Sequence, residues 1–411
     1  MKIAFIVNTF PVISETFILN QITGLIDRGH EVDIYTFALK RLETPHSQIN
    51  RYHLLDRTRN LSNHTMNIWG RMVKAATLIA QQGVRTLPAT RSTLSRIRMA
   101  RTMGCRFPRL ALLEIGLAQQ SDRPYDIIHC QYGTLGKRFL TLKMAGLISG
   151  KFVTAFRGHD ITQHVHSALG VYDELFREGD LFLPVSRSLE QRLVEGGCDP
   201  AKIRILHSGI DCSQFRFRAR SLEIKETINI LTIGRFVEMK GIVYGVEAVA
   251  GLIQAGNKLH YDIIGDGPMR DEISMKIRQF GIESQVTLHG WKDQDSVTKY
   301  LDRAHILLTP SVTAANGEAE GIPNVVKEAM AVGLPVVSTV HSGIPELIED
   351  GVSGFLVPER DVRALTSRLA YLIEHPEQWE SMGKAGRKKI ENDFDNEKIN
   401  DSLVALYQEI P

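Results

Sequence analysis

Apolar and polar positions follow two periods along this chain. Residues 3–7 (Ile-Ala-Phe-Ile-Val) form an unbroken apolar run, the pattern of a strand covered on both faces of a parallel sheet. After a polar turn, Ile18, Ile22, Leu25 and Ile26 recur at helical spacing, with Ser14 as an N-cap and Gly29 as a stop. Residues 32–37 are a second strand. This β-α-β opening predicts a doubly wound, nucleotide-binding-like domain. Further strands are expected at 126–132, 152–156, 181–186 and 203–207. A second series runs through 228–233, 261–264, 286–289, 306–310, 334–340 and 354–358, and helices fill 361–392. A chain of 411 residues fits two such domains. The divisions expected are 1–207, 208–392 and a closing helical segment, 393–411.

Residues 311–345 organise the second half: SVTAANGEAEGIPNVVKEAMAVGLPVVSTVHSGIP. A polar loop leads into a helix with Pro323 in its first turn, where a missing N–H is no loss. Val325, Val326, Ala329 and Met330 make its apolar face, and Gly333 ends it. Backbone N–H groups near Asn324 and Val325 then point out of a helix N-terminus, which attracts phosphate. Glu320 lies before this terminus and Glu328 after it. Carboxylates repel phosphate but accept hydrogen bonds from sugar hydroxyls. The unit therefore suits a nucleotide-sugar, with hydroxyls at both ends and phosphate between. The plainer alternative is two solvated Glu residues around an ordinary helix start.

Other strand ends carry candidate chemistry. The run Gly234-Arg235-Phe236 is followed by Lys240, and an Arg fork with a Lys point charge can hold a diphosphate; two unrelated surface cations are the alternative. The turn Gly265-Asp266-Gly267-Pro268 lacks the third glycine of a dinucleotide fingerprint, which argues against an oxidoreductase. His159, in Arg157-Gly158-His159-Asp160, stands where ligands meet parallel sheets. His129 also ends a strand but is not singled out.

The run Glu320-Gly321-Ile322-Pro323 with Glu328, then Gly333-Leu334-Pro335-Val336-Val337 and Gly343-Ile344-Pro345-Glu346, resembles the signature of glycosyltransferase family 4. These are retaining enzymes of GT-B architecture, α/β proteins with two Rossmann-like domains facing across a cleft. The resemblance covers most of the chain outside 43–121. It implies that His159 hydrogen-bonds the donor sugar, that Arg235 and Lys240 hold the diphosphate, and that Glu320 grips the transferred sugar while Glu328 takes the ribose. Gly234, Gly265, Gly267, Gly321, Ile322, Pro323, Asn324 and Val325 would line the donor. His207-Ser208-Gly209-Ile210-Asp211 resembles the interdomain linker. The first loop, 10–17, lacks the glycine pair of many members and resembles the exopolysaccharide-assembly enzymes of colanic acid and amylovoran type. Ser14, Glu15 and Thr16 would act there on the acceptor side, although Ser14 also reads as a plain helix cap. The family implies no metal and no cofactor, with a nucleotide-sugar as co-substrate, UDP-hexose ahead of GDP-mannose.

Composition adjusts this picture in three ways. No apolar run approaches the ~18–20 residues of a membrane span, and the N-terminal run is too short for a signal-peptide core, so a cytoplasmic protein is expected. Cys105, Cys130, Cys198 and Cys212 have no zinc or disulfide spacing. Between positions 51 and 109 stand twelve Lys and Arg against one acid, Asp56, a net of +11 that leaves −9 elsewhere in a +2 chain. Ile68, Trp69, Met72, Val73, Ala75, Ala76 and Ile79 line one helical face within it. The segment reads either as a peripheral dock on an anionic membrane, which would suit a saccharide acceptor linked to polyprenyl diphosphate, or as helices packed on the N-terminal domain. Nucleic acid is not expected as a partner, because no aromatics interleave the cations. Two other functions compete: a glycoside hydrolase using Glu318 and Glu320, and a non-catalytic sugar-binding protein.

Overall fold

The computed structural model describes residues 1–12, 15–40, 47–61, 87–107, 111–113, 115–116, 124–158, 160–161, 170–222 and 227–411. Two six-stranded parallel sheets carry the chain. In the first, β1 (Lys2–Phe10), β2 (Glu31–Leu39), β3 (Thr58–Asn60), β4 (Ile127–Cys130), β5 (Lys151–Phe156) and β6 (Leu181–Pro184) lie in the order β3-β2-β1-β4-β5-β6. In the second, β7 (Ile228–Ile233), β8 (Leu259–Ile264), β9 (Val286–Leu288), β10 (Ile306–Thr309), β11 (Val336–Thr339) and β12 (Gly354–Val357) lie in the order β12-β11-β10-β7-β8-β9.

The continuous apolar runs become central strands because both faces are covered. In β1, Ile3, Phe5 and Val7 join one core while Ala4 and Ile6 join the other. In β10 the split is Ile306 and Leu308 against Leu307. Each fully buried Ile, Leu or Val is worth about 1.5–3 kcal/mol against exposure, so these strands favour places covered on both faces.

Six helices frame the site and its supports: α1 (Thr16–Asp27), α2 (Leu87–Thr102), α3 (Gln294–Arg303), α4 (Asn324–Ala331), α5 (Trp379–Asp393) and α6 (Asn396–Glu409). Helix α6 packs on α1 of the first sheet's layer. Arg28 donates to Asp401 at 2.8 Å and to Glu397 at 3.0 Å, and a Cβ on Gly24 would collide with Asn400. The Tyr407 hydroxyl meets His129 Nδ1 at 2.5 Å, so His129 is a buried structural residue, its pKa pushed down to about 3 by burial and then by Arg157.

Two local expectations need correction. Residues 203–207 form no strand. Ile203 bridges Phe182, Arg204 and Leu206 N–H donate to the carbonyls of Phe182 and Pro184 without completing a ladder, and the chain then turns away to Phe394, whose carbonyl accepts from Ile210 N–H. Within the expected closing segment, 393–411, the last helix starts at Asn396, because Asp395 caps it and Phe394 is buried in the core. Strand β3 was also unforeseen, since Thr-Arg-Asn carries no apolar signal.

Of the basic segment, α2 packs inward: Ile97 and Ala100 join the first core, Arg96 donates to Gly146 O, and Arg101 donates to Cys105 O and Phe107 O. Its outer side shows Leu94, Arg98 and Met99. The apolar face from Ile68 to Ile79 lies outside the described residues, as do Ser14 and His159. All four cysteines are buried and unbridged. Among the described residues no helix is long and apolar enough to cross a membrane.

Candidate functional site

The site is built where the strands of the second sheet end. Strand β7 runs into Gly234, and the stem of Lys240 lies across it: a Cβ on Gly234 would stand 3.2 Å from Lys240 Cδ and Cε. Gly265, at the end of β8, has φ 135° and approaches so closely that a Cβ would be 1.9 Å from Gly234 O. Only glycine satisfies both conditions. Gly267 packs the same way on Phe236, so the two loops form one floor. Arg235 stands exposed at its edge, its guanidinium without hydrogen bond or ion pair among the described residues.

The loop between β10 and α4 is held by side chains rather than by ladder bonds. Thr313 donates through N–H to Glu359 at 2.8 Å, and Ala315 N–H donates to Glu238 at 3.1 Å. Glu320 N–H donates to His341 Nε2 at 3.1 Å, which leaves the ring proton on Nδ1 for Glu359 Oε1, 2.6 Å away. Burial pulls the Glu359 carboxyl up, but bonds from Thr313 and His341 outweigh it and hold the group below its ordinary range. Ser342 Oγ and Gly343 N–H close on the carbonyls of Glu320 and Gly321. The outcome is an ion pair between Lys240 Nζ and Glu320 Oε1, both side chains mostly buried.

Pro323 is the N-cap of α4 and gives no side-chain bond. The N–H groups of Asn324 and Val325 are therefore open to a ligand. Along the helix, burial raises the Glu328 pKa, against Lys327 and a bond from Gln294. Lys240 thus meets Glu320 in the loop that leads into the α4 terminus, and Arg235 stands exposed on the neighbouring loop after β7.

The first sheet approaches from the other side. Gly158, at φ 134°, would place a Cβ 3.3 Å from Ala319 O and Gly321 N, and a Cβ on Gly321 would lie 2.4 Å from Arg157 O. Asp160 accepts from the N–H groups of Gly133, Arg157 and Gly158, which pins the backbone flanking position 159. Glu15 precedes α1 without capping it; its carboxylate accepts from the Tyr132 hydroxyl at 2.7 Å, and burial raises its pKa. Thr16 opens α1.

Three residues that sequence reasoning passed over belong to this region. Arg157 stacks 4.5 Å over the Phe17 ring and donates through Nη2 to Gln21 and Gln131, while its Nε and Nη1 are buried without partners. Its place two residues before His159 was the available signal. His341 and Glu359 had none, being distant in sequence and ordinary in type. Among the described residues no group of three or more His, Cys, Asp or Glu is placed to hold a metal ion.

Residues 213–389 match the family profile described as Glycosyl transferases group 1, and residues 14–214 match Glycosyltransferase Family 4. AmsK of Erwinia amylovora, an amylovoran biosynthesis glycosyltransferase, is 36% identical over 412 residues, covering 100% of both chains. WcaL of Escherichia coli, assigned to colanic acid biosynthesis as a glycosyltransferase, is 37% identical over 414 residues, 99% of this chain and 100% of that one. Among solved structures, Anabaena Alr3699/HepE in complex with UDP superposes with a TM-score of 0.70 at 17% identity, covering 99% of this chain and 100% of that one.

Proposed function

The chain belongs to glycosyltransferase family 4 and has the GT-B fold, and from that premise we propose that it transfers a hexose from a nucleotide-diphosphate sugar, with retention at the anomeric carbon, in exopolysaccharide assembly. The observation that carries this reading is the Lys240–Glu320 ion pair at the open end of α4. A cation for phosphate and a carboxylate for hydroxyls are in contact there, which suits a ligand joining a sugar to a diphosphate. UDP-hexose is the favoured donor, ahead of GDP-mannose; a UDP-bound relative of the same fold and the exopolysaccharide names of the closely matched proteins support that order.

In the proposed reaction the anomeric C–O bond to the diphosphate breaks and its electron pair leaves with the phosphate oxygen. An acceptor hydroxyl forms the new bond to the same carbon and passes its proton to the departing diphosphate oxygen. Arg235, Lys240 and the Asn324 and Val325 N–H groups meet the growing charge on the leaving group. Preorganised donors of this kind are worth about 3–4 kcal/mol each in similar settings. Glu320 holds hydroxyls of the sugar and Glu328 the ribose. No enzymic nucleophile is assigned, and no metal or cofactor is called for. The acceptor is a saccharide, lipid-linked, met at the inner membrane face through the basic segment.

A thermal-shift panel of UDP, GDP and ADP, followed by their sugars, tests the donor. UDP should give the largest shift, and the productive UDP-sugar should release UDP when acceptor is added. Absence of nucleotide diphosphate release from every donor would overturn the reading.

A further inference from the structure

A second cationic feature lies at the opposite end of the C-terminal sheet from the donor loops. A cavity of about 330 Å³ opens where β7 and β10 begin, lined by Arg218, Arg220, Asn229, Asp302, Arg303 and His305 among others. Three guanidinium groups there face one carboxylate.

Arg220 explains why the cavity is charged within as well as at its rim. Only 6% exposed, it donates through Nη1 to Asp302 O at 2.5 Å and through Nη2 to Leu301 O and Val332 O, both at 3.2 Å. These carbonyls end α3 and α4, so those bonds are structural. Its Nε is left over, buried and without a partner. Burial lowers the Arg220 pKa to about 10, Asp302 opposes that, and Arg218 adds to it; the group stays charged at neutral pH.

Arg218 and Arg303 carry no such duty. Both are exposed, and neither side chain makes a hydrogen bond or ion pair among the described residues. Like charges beside a buried guanidinium repel, and an anion would relieve them. The His305 ring accepts from Asn229 N–H through Nδ1 at 3.0 Å, so its ring proton is on Nε2, and the three guanidinium groups outnumber the Asp302 carboxylate in the wall.

We propose that this cavity is a binding site for a phosphate-type oxyanion, separate from the donor cleft. Arg218 and Arg303 clamp the anion from the rim, and the buried Arg220 charge behind the cavity wall adds attraction. Charge-assisted bonds to planar guanidinium groups suit phosphate, whether free or carried on a sugar. The site also sits at the carboxyl end of α4, the helix whose amino end faces the proposed donor, and Arg218 N–H and Arg220 share the Val332 carbonyl there.

The test is calorimetric titration of inorganic phosphate, and separately of a hexose phosphate, into the full chain held at constant ionic strength with UDP in excess. UDP fills the donor cleft; if UDP itself does not bind, the donor reading fails while the phosphate titration still tests this cavity. Saturable one-to-one binding is expected, weakened at least tenfold in the double variant Arg218→Ala/Arg303→Ala. Tighter binding of the hexose phosphate would assign the site to a phosphorylated sugar, and equal binding to free phosphate. Both substituted residues are exposed, so the variant should fold, and an unchanged melting temperature checks that. No saturable binding, or binding equal in parent and double variant, overturns the proposal.

Discussion

Lys327 Nζ donates to the Ser208 carbonyl at 2.5 Å and to the Ser208 hydroxyl at 2.8 Å, which ties helix α4 to the segment joining the two sheets. The lysine is fully buried. Burial lowers its pKa to about 7, while Glu328 opposes the change and Arg157 adds to it. Below about pH 7 the folded and unfolded chains both carry the charge, and burying it costs stability in full. Between about 7 and the ordinary 10.5 the unfolded chain alone holds the proton, so this site makes stability rise with pH. Every pH unit crossed in that window changes stability by at most about 1.4 kcal/mol.

Replacing Lys327 by Met removes that titration while keeping the volume. Relative to the parent, K327M should be most favoured near pH 6 and should lose that advantage progressively towards pH 9. Melting temperatures of both proteins across this range give the answer. A constant difference would show that Lys327 does not titrate there.

The Lys240–Glu320 pair makes a separate prediction about activity. Lys240→Met leaves a mostly buried carboxylate without its cation, and removing one partner of such a pair costs more than removing both. The single variant should lose about 1–2 kcal/mol of stability, discounted for partial exposure. The double variant Lys240→Met/Glu320→Gln should regain most of it. Turnover should stay at least about 100-fold down in both, since a leaving-group donor is gone. Recovery of turnover in the double variant would remove Lys240 from the chemistry.

Local and distant constraints differ in how plainly the sequence shows them. Ile3 to Val7 and Ile306 to Leu308 announce central strands because a parallel sheet must be apolar on both faces. The α4 boundaries follow from Pro323 and Gly333, whose backbone limits are local. The contact of Lys240 with Glu320 is not local: eighty residues separate them, and only the register of β7 beside β10 brings their loops together. Lys327 misleads for a similar reason. It occupies a buried position on α4 that its type does not announce, and its partner, Ser208, lies 119 residues away.

Glu359 should matter to stability and to the shape of the loop between β10 and α4. Its carboxylate holds Thr313 and, through His341, the Glu320 N–H. Glu359→Ala should cost about 1–3 kcal/mol at neutral pH, because these groups would be left unpaired. Because the folded pKa lies below the ordinary 4.5, this stabilisation is full above about pH 4.5 and is lost as pH falls through the folded value. Urea midpoints at pH 7, 4.5 and 3.5 should converge for parent and variant at the acid end. A gap that stays equal at all three values would contradict the assignment.

Membrane docking through the basic segment can be tested without harming the fold. Arg96 and Arg101 are unsuitable targets, since both hold backbone carbonyls. Arg98 and Arg106 are exposed. With about 1 kcal/mol per cation near an anionic surface, reversing both to Glu should cut flotation with anionic liposomes at least about tenfold. Equal flotation of parent and variant would leave the segment a packing element only.

Gly321 sets how closely the two sheets approach, and here the constraint is space rather than backbone angle. A Cβ at this position would lie 2.4 Å from Arg157 O and 3.0 Å from Val185 Cγ2, atoms that belong to the first sheet's strand ends. Gly321→Ala must therefore push the 319–321 loop away from Gly158 and Arg157 by a fraction of an ångström or more. The groups proposed to hold UDP itself, Arg235, Lys240, Asn324, Val325 and Glu328, lie outside the 319–321 loop, so UDP should bind within about twofold of the parent. Acceptor and donor would no longer align, and a misplacement near 1 Å can cost about 100-fold in turnover. Turnover reduced tenfold or more with UDP affinity kept would support the cleft as the reacting space. Unchanged turnover would mean that the contact between Gly321 and Arg157 is not part of the reactive arrangement.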